Sequence, residues 1–176
     1  MSRFFTSLII GLALIMFSAC GDDDSDTLSL ADTLPGTWTI SAINIEASTT
    51  TPVLGQPVEV ASATTTLANS SDAQLTFTSN PNNYSSTGNL TVIITGEIGG
   101  VGLQPVTESF PAFGGGTWSA SGDMMTFNEN LGESLTLTAQ EISSSLIVLV
   151  SQETETEMVG GVEETTTTNS EIRFTR

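Results

Sequence analysis

The amino-acid sequence predicts an all-β domain whose antiparallel strands close into an up-and-down barrel. Thr, Ser, Val and Ile, which fit pleated and half-buried strands, are abundant, and no long stretch of Leu, Ala, Glu and Lys indicates a helix. Apolar residues make up 38% of the chain, which argues against global disorder. We expect about eight to ten strands joined mostly by short turns, because closing such a meander removes its exposed edges. A β-sandwich is the alternative architecture.

The first predicted strand starts at Gly36 and changes its apolar phase part of the way along. Trp38, Ile40 and Ala42 alternate with polar residues, and Ile43 then shifts the apolar positions by one residue. A shift of this kind turns apolar side chains to the opposite face of a strand unless one extra residue is inserted. The pattern therefore predicts a β-bulge or a sharp bend near the middle of this strand.

The remaining strands are predicted between turn clusters rich in Gly, Asn and Pro. Residues 46–57 contain Thr-Thr-Thr-Pro and Gly-Gln-Pro and are predicted to be a loop, whereas residues 58–69 fit either a Thr-rich strand or a short helix. Residues 103–110 are predicted to be an edge segment, since Pro105 and Pro111 limit ladder pairing. Strands are expected at residues 36–45, 74–78, 84–98, 117–120, 124–127, 134–138, 145–157 and 162–176.

The N-terminal segment, residues 1–19, is typical of a secretory signal peptide. Arg3 is its only charge, a run of ten mainly apolar residues follows at 8–17, and Ser18-Ala19 supplies small residues at the exit. The apolar run is shorter than the roughly 20 residues that a membrane-spanning helix needs. We therefore expect a cleaved segment rather than a retained anchor.

Phe17-Ser18-Ala19-Cys20 resembles the lipobox of bacterial lipoproteins, with Phe17 where Leu is usual. Cys20 is the single cysteine of the chain and has no disulfide partner within it. The resemblance implies that Cys20 carries acyl chains such as palmitate and becomes the mature N-terminus. Because each buried methylene adds about 0.8 kcal/mol of membrane affinity, these chains are expected to anchor the protein at the outer membrane, on the periplasmic face or the cell surface.

An acidic stretch, Gly21-Asp22-Asp23-Asp24-Ser25-Asp26, follows the predicted lipidation site. Residues 20–32 are predicted to be an extended tether, and residues 33–176 a single domain. The cluster also resembles surface-export signals of Bacteroidota lipoproteins. A calcium loop is not expected, because the Gly and Glu of an EF-hand are absent from the required positions.

The charge balance excludes several classes of function. The chain has 20 acidic residues, three arginines, no lysine and no histidine, for a net charge of −17. Such a surface repels nucleic acid and anionic membranes. Without His, Lys or a free Cys in the domain, Ser-His-Asp catalysis, Schiff-base chemistry and zinc sites are not expected. No enzyme activity, cofactor or metal is predicted, although the carboxylate pairs Glu97/Glu108 and Asp123/Glu129 remain open for glycosidase-type chemistry.

Glu153, Glu155 and Glu157 lie two residues apart, so they are predicted to share one strand face. Such a row can bind Ca²⁺ or a basic partner. The interpretation we favour is a solvated outer face whose charges discourage edge-to-edge aggregation.

Three short motifs resemble those of lipocalins and bacterial (Bacteroidota-type) lipocalin-like lipoproteins. They are Gly36-Thr37-Trp38 at the first strand, a central segment from Gly116 and Trp118 through the Gly122-Asp123 turn to Phe127, and the ending Ile172-Arg173-Phe174-Thr175-Arg176. The resemblance implies a barrel in which Arg173 or Arg176 packs over Trp38 through a cation–π contact. No helix is predicted before the last strand, which departs from most lipocalins.

Two functions follow from this fold. In the first, the barrel binds a small apolar or amphipathic ligand, and large side chains line its mouth or floor. In the second, the barrel is filled by its own side chains, and a non-enzymatic structural or interaction protein contacts a protein or glycan at the cell surface. The candidate ligand-binding residues are Trp38, Phe77, Tyr84, Trp118, Phe127 and Phe174.

Overall fold

The computed structural model describes residues 28–112, 114–129, 132 and 134–176. One short helix precedes the strands, and every strand pairing is antiparallel. The elements are α1 (Leu30–Thr33), β1 (Gly36–Val53), β2 (Gln56–Leu67), β3 (Gln74–Thr78), β4 (Asn83–Thr87), β5 (Asn89–Ile98), β6 (Val101–Gly102), β7 (Val106–Pro111), β8 (Gly115–Ser121), β9 (Met124–Glu129), β10 (Ser134–Ile142), β11 (Leu146–Val159) and β12 (Val162–Thr175).

Eight of these strands form a closed barrel in the order β1-β3-β4-β8-β9-β10-β11-β12. The ring closes because β1 pairs with β12 over a register that runs from Thr39↔Thr175 to Thr50↔Thr165. Each barrel strand is hydrogen-bonded to the next barrel strand along the chain, as in an up-and-down meander. The predicted barrel is confirmed.

The remaining strands extend the sheet past one end of the barrel. β2 pairs with residues 44–53 of β1, β5 pairs with β2, and β6 and β7 both pair with β5. We call this region the sheet extension: β2, β5, β6 and β7, with residues 44–53 of β1, 151–159 of β11 and 162–170 of β12. It is an open sheet, since β9 and β10 turn back at the barrel rim.

The junction between barrel and extension is set by breaks in strands that otherwise run end to end. β2 and β3 lie in line along β1, separated by residues 68–73, and β4 and β5 are separated by Gly88. Gly88 has φ +80°, and a Cβ there would lie 2.4 Å from the backbone oxygen of Asp72. The Asp72 carboxylate also accepts a hydrogen bond from the Asn89 amide at 2.6 Å. Only glycine fits this crossing.

The predicted bulge in β1 is confirmed. The β1–β12 register shifts between Ile40 and Ala42, so one residue is inserted at this point. Ile40 and Ile43 are therefore both buried in the core, while Ala42 pairs with Arg173 on the other face. The change of face comes one residue earlier than the sequence pattern indicated.

Two predictions about the first third of the domain are wrong. Residues 46–53, predicted to be a loop, continue β1, and the reversal is confined to residues 54–55. Thr49 and Thr166 explain the error, because their hydroxyls bond across strands at 2.9 Å and a polar Thr run can thus form a ladder without an apolar face. The predicted tether also ends earlier than residue 32, since Leu30 lies in α1 and is fully buried.

The core occupies the barrel and the end that α1 covers. α1 lies against β8 and β10, and its N-cap Ser29 accepts a hydrogen bond from the Asp32 amide. The largest fully buried side chains are Trp38, Phe77, Phe174, Leu30, Leu34, Leu75, Met125, Leu137, Ile147 and Leu149.

Gly116 lets β8 cross close to its neighbours, and its substitution tests the barrel packing. A Cβ at Gly116 would lie 2.1 Å from the backbone oxygen of Asn128 and 3.0 Å from the Tyr84 ring. We expect Gly116→Ala to destabilise the fold by about 2–3 kcal/mol in urea unfolding, because the β8–β9 backbones must separate.

The matched control is Gly114→Ala. A Cβ at Gly114 meets nothing within 4 Å, so this variant is expected to unfold within about 0.5 kcal/mol of the parent chain. Equal stability of the two variants would contradict the close approach at Gly116.

Candidate binding surfaces

Trp38 closes the barrel end at which β1 begins. Its indole is fully buried, and the indole Nε1 donates a hydrogen bond to the Leu34 carbonyl at 2.7 Å. The Arg176 guanidinium carbon lies 4.0 Å from the centroid of the Trp38 ring. The cation–π contact expected from the sequence is therefore present, and Arg176 rather than Arg173 makes it.

Arg176 also ties the last residue of the chain to the segment before β1. Its Nη2 atom donates to the carbonyls of Thr33 at 3.0 Å, Leu34 at 3.4 Å and Pro35. Gly36 has φ +126°, and a Cβ at this position would lie 2.7 Å from Nη2. Gly36 is thus required both by its backbone conformation and by the passage of the guanidinium.

The other residues of the lipocalin-like motifs, among them Arg173, Gly122 and Asp123, make contacts that hold strands and turns in place. Arg173 lies on the outer face, where its Nε is 2.8 Å from Glu171 Oε1. Gly122, with φ +62°, forms the β8–β9 turn, and the Asp123 carbonyl accepts a hydrogen bond from the Ala139 amide at 2.6 Å. These contacts fix the turn beside β10 and involve no side-chain chemistry of Asp123.

The aromatic side chains predicted to bind a ligand pack against one another inside the barrel. Phe77 is the centre of the cluster, and its ring centroid lies 6.0–6.4 Å from those of Tyr84, Trp118, Phe127 and Phe174. Tyr84 and Phe127 meet edge to face at 5.3 Å. Trp118 uses its indole Nε1 to bond the Thr78 carbonyl at 2.9 Å. With Trp38 beneath, the six residues form a packed core.

The interior cavity that remains is small. It has a volume of about 50 Å³, and its lining is mostly apolar, with one carboxylate: Leu75, Tyr84, Phe127, Glu129, Leu135, Leu137, Ile172 and Phe174. Ligand sites for drug-sized molecules span roughly 300–1,000 Å³. This cavity has room for a water-sized or methyl-sized group and no more.

Tyr84 lies at the wall of this cavity. Desolvation by burial raises the pKa of the Tyr84 hydroxyl above its ordinary value, and the negative charge of Glu129 raises the pKa further. Both effects disfavour the phenolate, so the neutral ring is the form that packs into the core.

A second, more open groove lies on the sheet extension. It has a volume of about 280 Å³ and lies over small residues in register, Ala47↔Ala63 and Ala63↔Gly96, beside Ile94 and Ile98. Leu103 and Val106 border the groove on the β6–β7 side and are about half exposed.

Glu153, Glu155 and Glu157 share one face of β11, as predicted. They pair in register with Thr168, Thr166 and Glu164 of β12, and all three glutamates are exposed. This face is continuous with the barrel interior, since Leu149, on the same face of β11, is fully buried. The row is solvated as expected, but the expected outer face is wrong: the glutamates lie on the face that continues the barrel interior, which is open to solvent here because β10 no longer pairs with β11 beyond Val150.

The carboxylate pairs considered for hydrolysis do not converge. Glu108 pairs with Val92, on the face that Val92 shares with the core, whereas Glu97 points to the opposite face of β5. Asp123 lies in the turn before β9 and Glu129 is the last residue of that strand, so the two are about 20 Å apart at the rise of an extended strand.

Several predictions from the sequence concern residues outside the part of the chain that the structure describes. The signal peptide, Cys20 and the acidic residues 21–26 lie there. Among the described residues, no group of three His, Cys, Asp or Glu could hold a metal ion. The same residues include no helix with the length and apolarity required to cross a membrane.

Comparison with known proteins gives no relative: no family model, curated protein or solved structure matches the chain.

The sheet extension was missed by sequence reasoning. The sequence does contain a signal for it. Residues 44–51 and 162–168 are both Thr-rich; the first run follows the apolar part of β1, and the second precedes the apolar part of β12. Two polar runs that flank the closing strand pair are expected to pair with each other once β1 and β12 are recognised as neighbours.

The two C-terminal arginines provide a matched test of the barrel closure. We expect Arg176→Gln to lower the free energy of unfolding by about 2 kcal/mol, because the cation–π contact and charge-assisted hydrogen bonds to three carbonyls are lost. Arg173→Gln, which removes one exposed ion pair, is expected to change it by less than about 0.5 kcal/mol. Urea denaturation followed by Trp fluorescence measures both, and equal losses would refute the role of Arg176.

Tyr84 is the single tyrosine, so its ionisation can be followed directly by absorbance. We expect a titration midpoint above the ordinary value of about 10 in the folded chain, and Glu129→Gln should lower it towards that value. Because the folded-state pKa is raised, the associated stability is present below pH 10 and is lost as pH rises through the folded pKa. A midpoint at or below 10 in folded protein would contradict the burial of the hydroxyl.

Proposed function

We propose that this chain is an envelope lipoprotein, acylated at Cys20, whose filled lipocalin-like barrel is a rigid platform for an interaction surface. It acts without catalysis. The observation that carries this proposal is the packed interior: six aromatic side chains fill the space in which a ligand would bind, and about 50 Å³ remains.

The anchoring half of the proposal rests on the N-terminal sequence. An apolar segment, two small residues and a lone Cys20 are followed by the acidic run Asp22–Asp24. This order is typical of an exported chain that is held at the outer membrane by lipid and separated from it by a charged spacer. The acidic domain would be repelled by an anionic membrane surface, so the lipid supplies the membrane affinity.

The lipocalin-like half is supported by the arrangement around Trp38. Gly36, Trp38 and Arg176 are brought together at the closed end of an up-and-down barrel, as the resemblance to lipocalins implies. In a barrel of eight strands, the interior is just wide enough for side chains to fill it or to hold one small ligand. The core packing favours the first outcome for this chain.

The sheet extension supplies what a filled barrel lacks, a large accessible surface. Apart from Leu90, Thr91 and Val92 of β5, no side chain of the extension is buried among the described residues, so packing of the barrel core does not account for most of it. Exposed apolar side chains along β5 to β7 include Ile98, Leu103 and Val106, and acidic side chains line β11. The proposed role of this surface is to bind a protein or glycan partner.

Native mass spectrometry of the chain extracted from its own membranes tests both halves. We expect a mass in excess of the polypeptide after residue 19 by the acyl groups alone, and denaturation should release nothing further. Cys20→Ser should remove the acyl mass and the membrane association together, because the thiol is the acceptor.

Ser25→Ala is the control, since it alters the same segment and should retain the acyl mass. An adduct released on denaturation from the parent chain would favour the ligand-binding barrel instead. Acyl-free protein that stays in the membrane would overturn the anchoring proposal.

A further inference from the structure

We propose that the free edge of β11, Ser151–Val159, binds an extended basic segment of another protein by strand addition. The proposal deepens the interaction role of the sheet extension and rests on it. It names the site, the binding mode and the chemistry of the partner.

The edge is unpaired along most of the strand. β12 pairs with β11 from Leu146 to Val159, whereas β10 pairs with β11 only as far as Thr138↔Val150. Beyond Val150, no strand among the described residues is bonded to this side of β11. Half of the backbone N–H and C=O groups of a strand point to each side, so this edge presents a row of donors and acceptors. Such a row is the template for an added strand.

The side chains on the two faces of the edge differ in their availability. On one face, Gln152, Thr154 and Thr156 are within bonding distance of Asn169, Thr167 and Thr165 of β12, at 2.7, 3.4 and 3.2 Å. On the other face, the exposed Glu153, Glu155 and Glu157 lie opposite Thr168, Thr166 and Glu164. The three glutamates are therefore the groups that an incoming strand meets unpaired.

No basic side chain of the described residues neutralises this row. Arg173 is paired with Glu171, and Arg176 is held on Trp38 at the far end of the barrel. The chain contains no lysine. A row of like charges disfavours a second copy of the same edge, and it equally disfavours the acidic residues 21–26 of the chain itself. A strand that carries Lys or Arg is the occupant that the charges favour.

The spacing selects the pattern of the partner. Alternate residues of a strand lie about 6.8 Å apart on one face, so three glutamates at this spacing match basic residues at every second position. In the added ladder, each basic residue of the partner lies directly across from a glutamate or diagonal to one. The partner is thus an extended segment with the pattern basic-x-basic-x-basic.

Binding of synthetic peptides to the lipid-modified chain, purified from its membranes in detergent, tests the proposal. The probe is a capped, dye-labelled Thr-Lys-Thr-Lys-Thr-Lys-Thr peptide, followed by fluorescence anisotropy. Two control peptides have the same charge: one has its lysines contiguous, and one has alternate backbone amides N-methylated and cannot complete a ladder. We expect the alternating peptide to bind at least about tenfold more tightly than either control, because only it combines ladder and register.

Variants locate the site. Combined Glu153→Gln, Glu155→Gln and Glu157→Gln should weaken binding of the alternating peptide roughly tenfold, the sum of three exposed charge pairs. The matched control, Glu46→Gln, Glu59→Gln and Glu97→Gln, changes the net charge equally on other strands of the extension and should change binding less than twofold. Amide hydrogen exchange should slow within 151–159 on binding.

Each alternative outcome overturns the inference. Equal binding of the N-methylated peptide means general electrostatic attraction without strand addition, and equal loss in both triple variants means no preference for the β11 edge. Absence of binding by any peptide also overturns it. None of these results alters the acyl mass of Cys20 or the absence of a released ligand, so failure here is distinguishable from failure of the proposed function.

Discussion

The pairing of β1 with β12 is the constraint on which the rest of the structure depends, because it gives the meander an inside. Trp38 and Arg176 lie at the start of that pairing, and the Arg176 guanidinium carbon is 4.0 Å from the centroid of the Trp38 ring. The first and last strands are therefore held together by side chains as well as by the backbone ladder. Burial of a large side chain such as Trp38 contributes about 1.5–3 kcal/mol, and the cation–π contact adds about 0.5–1 kcal/mol. Gly36 has φ +126°, a backbone conformation that favours glycine, and the guanidinium lies where a Cβ would be.

Closure also decides where the barrel stops. β1 has 18 residues and β12 has 14, whereas β9 has six. The ring of eight strands can therefore close only along the first part of β1 and the last part of β12. The bulge at residue 41 marks the region in which β1 turns from the ring towards the extension. Beyond Ile43 and Ile45, the inward positions of β1 are Ala47 and Thr49, and those of β11 are glutamates, in place of Trp and Ile. The change in side-chain type follows the change from a closed interior to an open face.

The sequence predicts the barrel well because its determinants are local. Trp38, Ile40, Phe77 and Phe174 alternate with polar residues, and alternation of this kind requires one buried face. The bulge could be predicted from the phase change for the same reason.

The sheet extension could not be predicted from the sequence, because Thr49 and its neighbours show no apolar period. Their pairing depends on β12, more than a hundred residues away. Likewise, the arginine that covers Trp38 cannot be chosen from sequence, because Arg173 and Arg176 differ only in the face to which the register directs them. The sequence pattern also does not show whether inward aromatic side chains pack against one another or leave a cavity. The packing of Phe77 against four rings is visible only in the structure.

The buried side chains of the sheet extension are confined to Leu90, Thr91 and Val92 of β5 among the described residues, so most of this open sheet needs another source of order and a defence against association. Order in the extension comes from its continuity with the barrel: β1, β11 and β12 enter it already paired, and hydroxyl contacts such as Thr49–Thr166 continue the ladder. Such contacts are weaker per residue than core packing, so we expect the extension to have lower local stability than the barrel. Defence against association comes from charge, since the unpaired part of β11 alternates Glu with Gln and Thr. The charges that disfavour pairing of two such edges are also the charges that favour a basic strand in the strand addition that we propose, so one feature of the edge accounts for both parts of the proposal.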